Sequence, residues 1–216
     1  MINQLFSNPF SFVISIAALI VAITIHEFSH AWMADRLGDP TPRIQRRLNL
    51  NPLSHLDPYG SLFMLFFGFG WGKPVIFDPY NLKNPRKDAA FISLAGPISN
   101  ILLALVCSLL LRVALVAPVT NLATVATIVL APLISINIFL AIFNLIPIHP
   151  LDGFKVVEGA LPENKAREWR QLERYGFIFL LLMILPIGPN QMPLLETIIR
   201  PISYFLLQFL YPASFF

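Results

Sequence analysis

The residues best equipped for chemistry in this 216-residue chain are His26, Glu27 and His30, in the run His26-Glu27-Phe28-Ser29-His30. On an α-helix, positions i and i+4 share a face, so the two imidazoles of an H-E-x-x-H pattern can bind a single metal ion. The carboxylate between them can reach a water on that ion and serve as its base. Chance is a poor explanation. With four His and six Glu in the chain, the pattern is expected about 0.002 times in a random arrangement.

The composition says where such a site would sit. Hydrophobic residues make up 56% of the chain, charged residues 12%, and the mean hydropathy is +0.69. Soluble domains are about a quarter charged. Charge is absent from 1–25, 89–111, 113–151, 175–195 and 201–216. A bilayer core takes about 20 apolar residues per helix. The pattern predicts an all-α polytopic membrane protein in one domain over 1–216, with about five transmembrane helices near 9–36, 89–117, 122–147, 174–188 and 192–212. The N-terminus lacks a basic start and an A-x-A site, so the first helix is expected to be retained. A short apolar, glycine-bearing run at 59–72 is too short to cross as a helix and predicts a re-entrant, partly β segment near 59–75.

Thirteen of the fifteen Lys and Arg follow the first helix, the re-entrant segment or the third helix. With 59–75 re-entrant, all three loops share one face, which the positive-inside rule makes cytoplasmic. The net charge of +3 and pI of 9.2 come without a Lys/Arg run longer than two, so no nucleic-acid partner is expected. Cys107 is the only cysteine, which excludes an internal disulfide and a thiolate metal cage.

His26 lies ten residues before Arg36, hence about 15 Å along the helix from its charged end. Ionisable groups in a membrane helix cost about 2.5–3.5 kcal/mol each on the insertion scale, so three within five residues need a compensating partner. A zinc ion is such a partner. Catalytic zinc takes three protein ligands and leaves one position open. The candidates for the third are Asp152, His55, His149, Asp57 and Asp35. Asp152 closes the run Asn144-Leu-Ile-Pro-Ile-His-Pro-Leu-Asp152-Gly153, where Pro147 and Pro150 prevent regular helix. On the residues alone, Asp152 is equally a ligand aimed into a cavity and an Asp-Gly turn or N-cap.

Together these motifs resemble the site-2 protease family of intramembrane zinc metallopeptidases. The resemblance runs from about residue 20 to 185. HEFSH is similar to the family's H-E-x-x-H, and NLIPIHPLDG at 144–153 to its N-x-x-P-x-x-x-L-D-G, whose Asp is the third zinc ligand. The runs NPLSHLDP at 51–58, GFGWGKPV at 68–75 and AGPISN at 95–100 resemble compact members without PDZ or CBS insertions. His149 stands where a Pro is usual and Phe154 where a second Gly is common. The resemblance implies one Zn2+ per chain on His26, His30 and Asp152, with Glu27 catalytic. It also implies hydrolysis of peptide bonds in or near transmembrane segments of membrane proteins, in regulated intramembrane proteolysis. Asn144, Asn100, Trp71 and Val75 are the expected substrate-binding residues, the last two in an edge that pairs with an extended substrate. The expected partners are a transmembrane protein or peptide and the lipid bilayer. The expected location is a prokaryotic plasma membrane, with the site towards the cytoplasm. Readings from other classes are a metal transporter, a non-catalytic metal-binding membrane protein and an inactive scaffold; none would need Glu27 as a base.

Overall fold

The computed structural model describes residues 7–67, 70–186 and 192–212. The α-helices are α1 (Pro9–Arg36), α2 (Thr41–Ile44), α3 (Pro58–Phe67), α4 (Pro85–Val116), α5 (Leu122–Leu145), α6 (Asp152–Ala160), α7 (Glu163–Arg170), α8 (Gly176–Ile184) and α9 (Leu194–Leu210). Three of them, α1, α4 and α5, are long and apolar enough to cross a membrane. They pack against one another, and α6 packs against α4 and α5.

Helix α1 begins where Asn8 accepts a hydrogen bond from the Ser11 amide at 3.1 Å and Pro9 supplies a preset φ. Ala18, Ala22, His26, His30 and Ala34 recur every fourth position, and all are buried. Alanine above and below the imidazoles lets another helix backbone come close, the usual device where apolar side chains gain nothing from leaving lipid. Helix α4 takes that position. Pro97 interrupts α4 near its middle by removing one amide from the ladder, and the Ser99 hydroxyl donates to Gly96 O at 2.7 Å.

Helices α4 and α5 form a hairpin through 117–121, with Asn121 at φ 66°, a conformation Asn tolerates. Their facing sides make the main apolar core, including Leu111, Ile134 and Ile138, joined by Leu180 of α8 and Ile199 of α9. At the far end of α4, Arg112 donates to Phe209 O at 2.8 Å and Tyr211 O at 3.2 Å. It thus caps the C-terminus of α9, a favourable place for a cation.

The structure revises several expectations from the sequence. The segment near 59–75 is helical over Pro58–Phe67 and then extended, with one isolated bridge between Leu56 and Gly72 and no strand among the described residues. Residues 68–69 lie outside the described residues. The span expected at 174–188 is a nine-residue helix, α8, preceded by a 3-10 turn over Gln171–Tyr175; positions 187–188 are not among those described. Nine residues reach about 14 Å, under half of a hydrocarbon core. The 17 residues of α9, carrying Glu196 and Arg200, reach about 26 Å. Among the described residues, charge-free runs therefore outnumber long helices; α8 ends at Ile184, two residues before Pro186. Helix α4 starts earlier than expected because Asn84 and Pro85 initiate it, with the Asp88 carboxylate accepting from the Asn84 amide at 2.8 Å.

Between α5 and α6 the chain turns through Pro147 and Pro150, and Gly153 comes so close to the end of α5 that a Cβ there would stand 2.3 Å from Leu145 O. Gly153→Ala should therefore force the start of α6 away from α5. We expect a destabilisation of about 1–3 kcal/mol, seen as a lower thermal midpoint of the detergent-solubilised protein; an unchanged midpoint would contradict this packing.

Candidate functional site

His26 and His30 stand one turn apart on α1, with ring centroids 4.6 Å apart and planes at 89°. The α5–α6 turn delivers Asp152 to them. Its Oδ2 lies 3.2 Å from His26 Nε2 and 3.3 Å from His30 Nε2. One donor atom from each of the three residues lies within 4.8 Å of the others.

The outer nitrogens fix where the protons are. His30 Nδ1 is 2.7 Å from Ile92 O, a carbonyl that can only accept, so the nitrogen donates. His26 Nδ1 is 2.6 Å from Asn100 Oδ1. Asn100 Nδ2 donates to Ala22 O at 3.1 Å and to Asn137 Oδ1 at 2.7 Å, which leaves its oxygen for His26. Asn137 in turn donates to Leu133 O at 2.8 Å. In the neutral rings both Nε2 lone pairs then converge on the Asp152 carboxylate, whose Oδ2 is buried without a hydrogen-bond donor among the described residues. Three electron-rich atoms facing one another repel unless a cation sits among them. Ligands about 2.0–2.1 Å from a tetrahedral zinc lie about 3.3 Å apart, the separation seen here. Nitrogen, nitrogen and carboxylate oxygen, with hydrogen bonds behind the imidazoles, is a donor set that fits the ion.

Glu27 is not part of this triad. Its Oε2 is buried and has no hydrogen-bond partner among the described residues. Glu27 and the triad open on one cavity of about 450 Å³, walled by apolar side chains including Ile23, Leu140, Phe143 and Phe177. Trp71, Val75 and Asn144 also line it. Asn144 Nδ2 donates to Leu140 O at 3.0 Å.

Asn100 differs from expectation. It is fully buried behind His26, and its amide groups are taken up by His26, Ala22 and Asn137, so it orients a ring and does not face the cavity. The remaining candidates for a third ligand stand elsewhere. His55 Nε2 donates to Asn49 O at 2.7 Å. Burial, helped by the nearby Arg47 charge and opposed by the Asn49 bond, holds the His55 ring below the ordinary histidine range. His149 approaches Glu173 at 3.7 Å and sets its ring edge against Phe154. Asp57 accepts from the Gly60 amide, and Asp35 pairs with Arg43 at 2.7 Å. Asn137 gains a role that no motif signals, and Gly96, within the AGPISN run, gains a specific one. A Cβ at Gly96 would lie 2.5 Å from His30 Nε2 and 2.7 Å from His26 Cε1, so α4 can pass the imidazoles only as glycine.

Asn100→Leu removes the acceptor that holds His26 in its ring orientation. We expect zinc affinity, measured by competition with a chelator, to fall about 10–100-fold; unaltered affinity would contradict the role of Asn100.

Residues 117–185 match the family model described as Peptidase family M50. The chain is 39% identical over 177 residues to YwhC of Bacillus subtilis, an alignment covering 80% of this chain and 81% of that protein. It is 31% identical over 180 residues to Rip2 of Mycobacterium tuberculosis, covering 81% of this chain and 67% of the relative. With Rip2 of Mycolicibacterium smegmatis the identity is 28% over 185 residues, covering 83% and 70%. All three relatives bear the name of a proposed zinc metalloprotease. No solved structure matches the chain. By its likeness over most of its length to YwhC, and by the match that spans the turn carrying Asp152, this chain belongs to peptidase family M50, the site-2 proteases.

Proposed function

We propose that the protein is a zinc metalloprotease that hydrolyses peptide bonds in or near the transmembrane segments of other membrane proteins. The observation that carries this reading is the convergence of His26 Nε2, His30 Nε2 and Asp152 Oδ2, with the Glu27 carboxylate, whose buried Oε2 has no hydrogen-bond partner among the described residues, in the same cavity. His26, His30 and Asp152 would hold one zinc ion per chain. Bound there, zinc supplies a Lewis acid that acidifies water and polarises a scissile carbonyl.

Glu27 takes the proton from the attacking water and returns it to the leaving amine. Asn100 and Ile92 O keep the two imidazoles turned so that their Nε2 atoms face inward. Asn144, on the cavity wall, offers its amide to a substrate backbone. A helical substrate hides its carbonyls in i to i−4 bonds, so it must unwind before any carbonyl reaches the site. The extended stretch that includes Trp71 and Val75 offers a partner edge for the unwound chain.

The distribution of Lys and Arg supports a cytoplasmic location for the loops after α1 and α5, and so for the inner end of α1 where the site lies. A prokaryotic plasma membrane is the setting that suits this reading.

Glu27→Gln should bind zinc with wild-type stoichiometry and lower turnover of a single-pass membrane substrate about 10²–10⁴-fold, followed by mass spectrometry of products. Full activity in that variant would exclude Glu27 as the base. Val75→Pro, which removes an amide from the edge, or Trp71→Ala should weaken cleavage with zinc content intact. Wild-type cleavage in both would end the pairing idea.

A further inference from the structure

The extended stretch from Gly72 to Asp78 forms one side of the cavity, and Pro74, Val75 and Phe77 line it. It passes directly over the base: a Cβ at Gly72 would stand 3.0 Å from Glu27 Oε1. Among the described residues no sheet holds it: one isolated bridge joins Leu56 and Gly72, and the Lys73 amide donates to His55 O at 2.8 Å. The backbone of residues 75–77 has no hydrogen bond to other described residues.

Two charged side chains hold its ends. Arg47 is only 4% exposed, and its guanidinium donates to Ser54 O and Lys73 O, and to Pro74 O at 2.8 Å. One planar fork thus bridges carbonyls of two separate chain segments, which a single ammonium could not span. At the other end Asp39 has no exposed surface. Its carboxylate accepts from the Asp78 amide at 2.7 Å, from Asn81 Nδ2 at 2.8 Å, and from the Thr41 amide and hydroxyl at 3.0 and 2.6 Å. Burial alone would raise the Asp39 carboxyl, but these bonds outweigh it and hold the group below the ordinary carboxylate range. A cation grips carbonyls at one end and an anion grips an amide at the other. Between them a short length of extended backbone is kept straight with its polar groups unspent.

We infer that Arg47 and Asp39 are positioning residues for the substrate: they suspend residues 72–78 over Glu27 as a ready-made edge that receives the unwound substrate backbone. Fixing the edge in advance spares its ordering cost when substrate binds, so the clamp acts on binding more than on the chemical step. This rests on the peptidase reading for its kinetic consequences, while the clamp itself can be observed without substrate.

The test uses the full-length protein in nanodiscs, as wild type, Arg47→Ala and Asp39→Asn. Hydrogen exchange of the Lys73 and Asp78 amides should speed up in the variants, with exchange in α4 and α5 and zinc content unchanged. With a single-pass peptide substrate, KM should rise about tenfold or more while kcat falls less than about threefold. Backbone N-methylation of the substrate beside the cleaved bond should cost wild type about tenfold in kcat/KM and cost Arg47→Ala less than about twofold, a difference that a merely structural role would not produce. Wild-type KM in both variants, equal N-methylation penalties, or loss of zinc along with KM would overturn the inference. Unaccelerated exchange would overturn the clamp itself, whereas a wild type that cleaves no membrane peptide would overturn the peptidase reading on which its kinetics depend.

Discussion

Two imidazole lone pairs and a carboxylate oxygen are held face to face at 3.2–3.3 Å in the interior of this protein. Left to themselves they would move apart. The surrounding structure prevents this, and much of the chain is arranged to do so. Hydrogen bonds behind each ring fix its tautomer and angle, the α5–α6 turn fixes the carboxylate, and close packing of α1 against α4 leaves the rings little room to swing. Such crowding of like polarity is stable when a divalent cation sits among the donors, where the binding energy of the ion offsets the cost of assembling them.

Placing this centre between membrane helices makes the packing demand sharper. From residue 18 to 34, α1 has alanine at every fourth position except the two occupied by histidine, and α4 has glycine opposite them. The helices therefore approach closely above and below the site, and only the rings fill the gap. Pro97, one residue on from Gly96, loosens the α4 ladder at the same level. Asn100 and Asn137 carry a chain of hydrogen bonds from the histidine face of α1 through α4 to α5. Each would be costly alone in an apolar core, and each is satisfied by the next. The three long helices are thereby tied together by the same bonds that orient His26.

The pairing of His26 and His30 was legible because H-E-x-x-H has a fixed helical geometry and is improbable in an apolar setting. Asp152 was not legible from its residues, which suit a turn or an N-cap equally well; only the resemblance of NLIPIHPLDG to a family motif pointed to it. The long helices α1, α4 and α5 were legible from long apolar, largely charge-free runs, though the start of α4 at Pro85 was not. What was not legible depends on contacts between distant segments. Asn100 reads as a polar residue near a cavity, and only its three partners show that it faces away from one. Arg47 is one arginine beside another in a basic loop. Nothing in its neighbours tells that it is buried while Arg46 is exposed. The short helix α8 and the extended stretch after Gly70 were misjudged for a different reason, since apolar composition specifies burial or lipid and does not specify a crossing.

The central claim is that His26, His30 and Asp152 hold one metal ion in the working protein. X-ray absorption at the zinc edge, on wild-type protein purified without chelators and quantified by elemental analysis, tests it most directly. The expected result is one zinc per chain with a first shell of nitrogen and oxygen only, at about 2.0–2.2 Å. A protein that takes up no zinc, or a shell containing sulfur at about 2.3 Å, would contradict it.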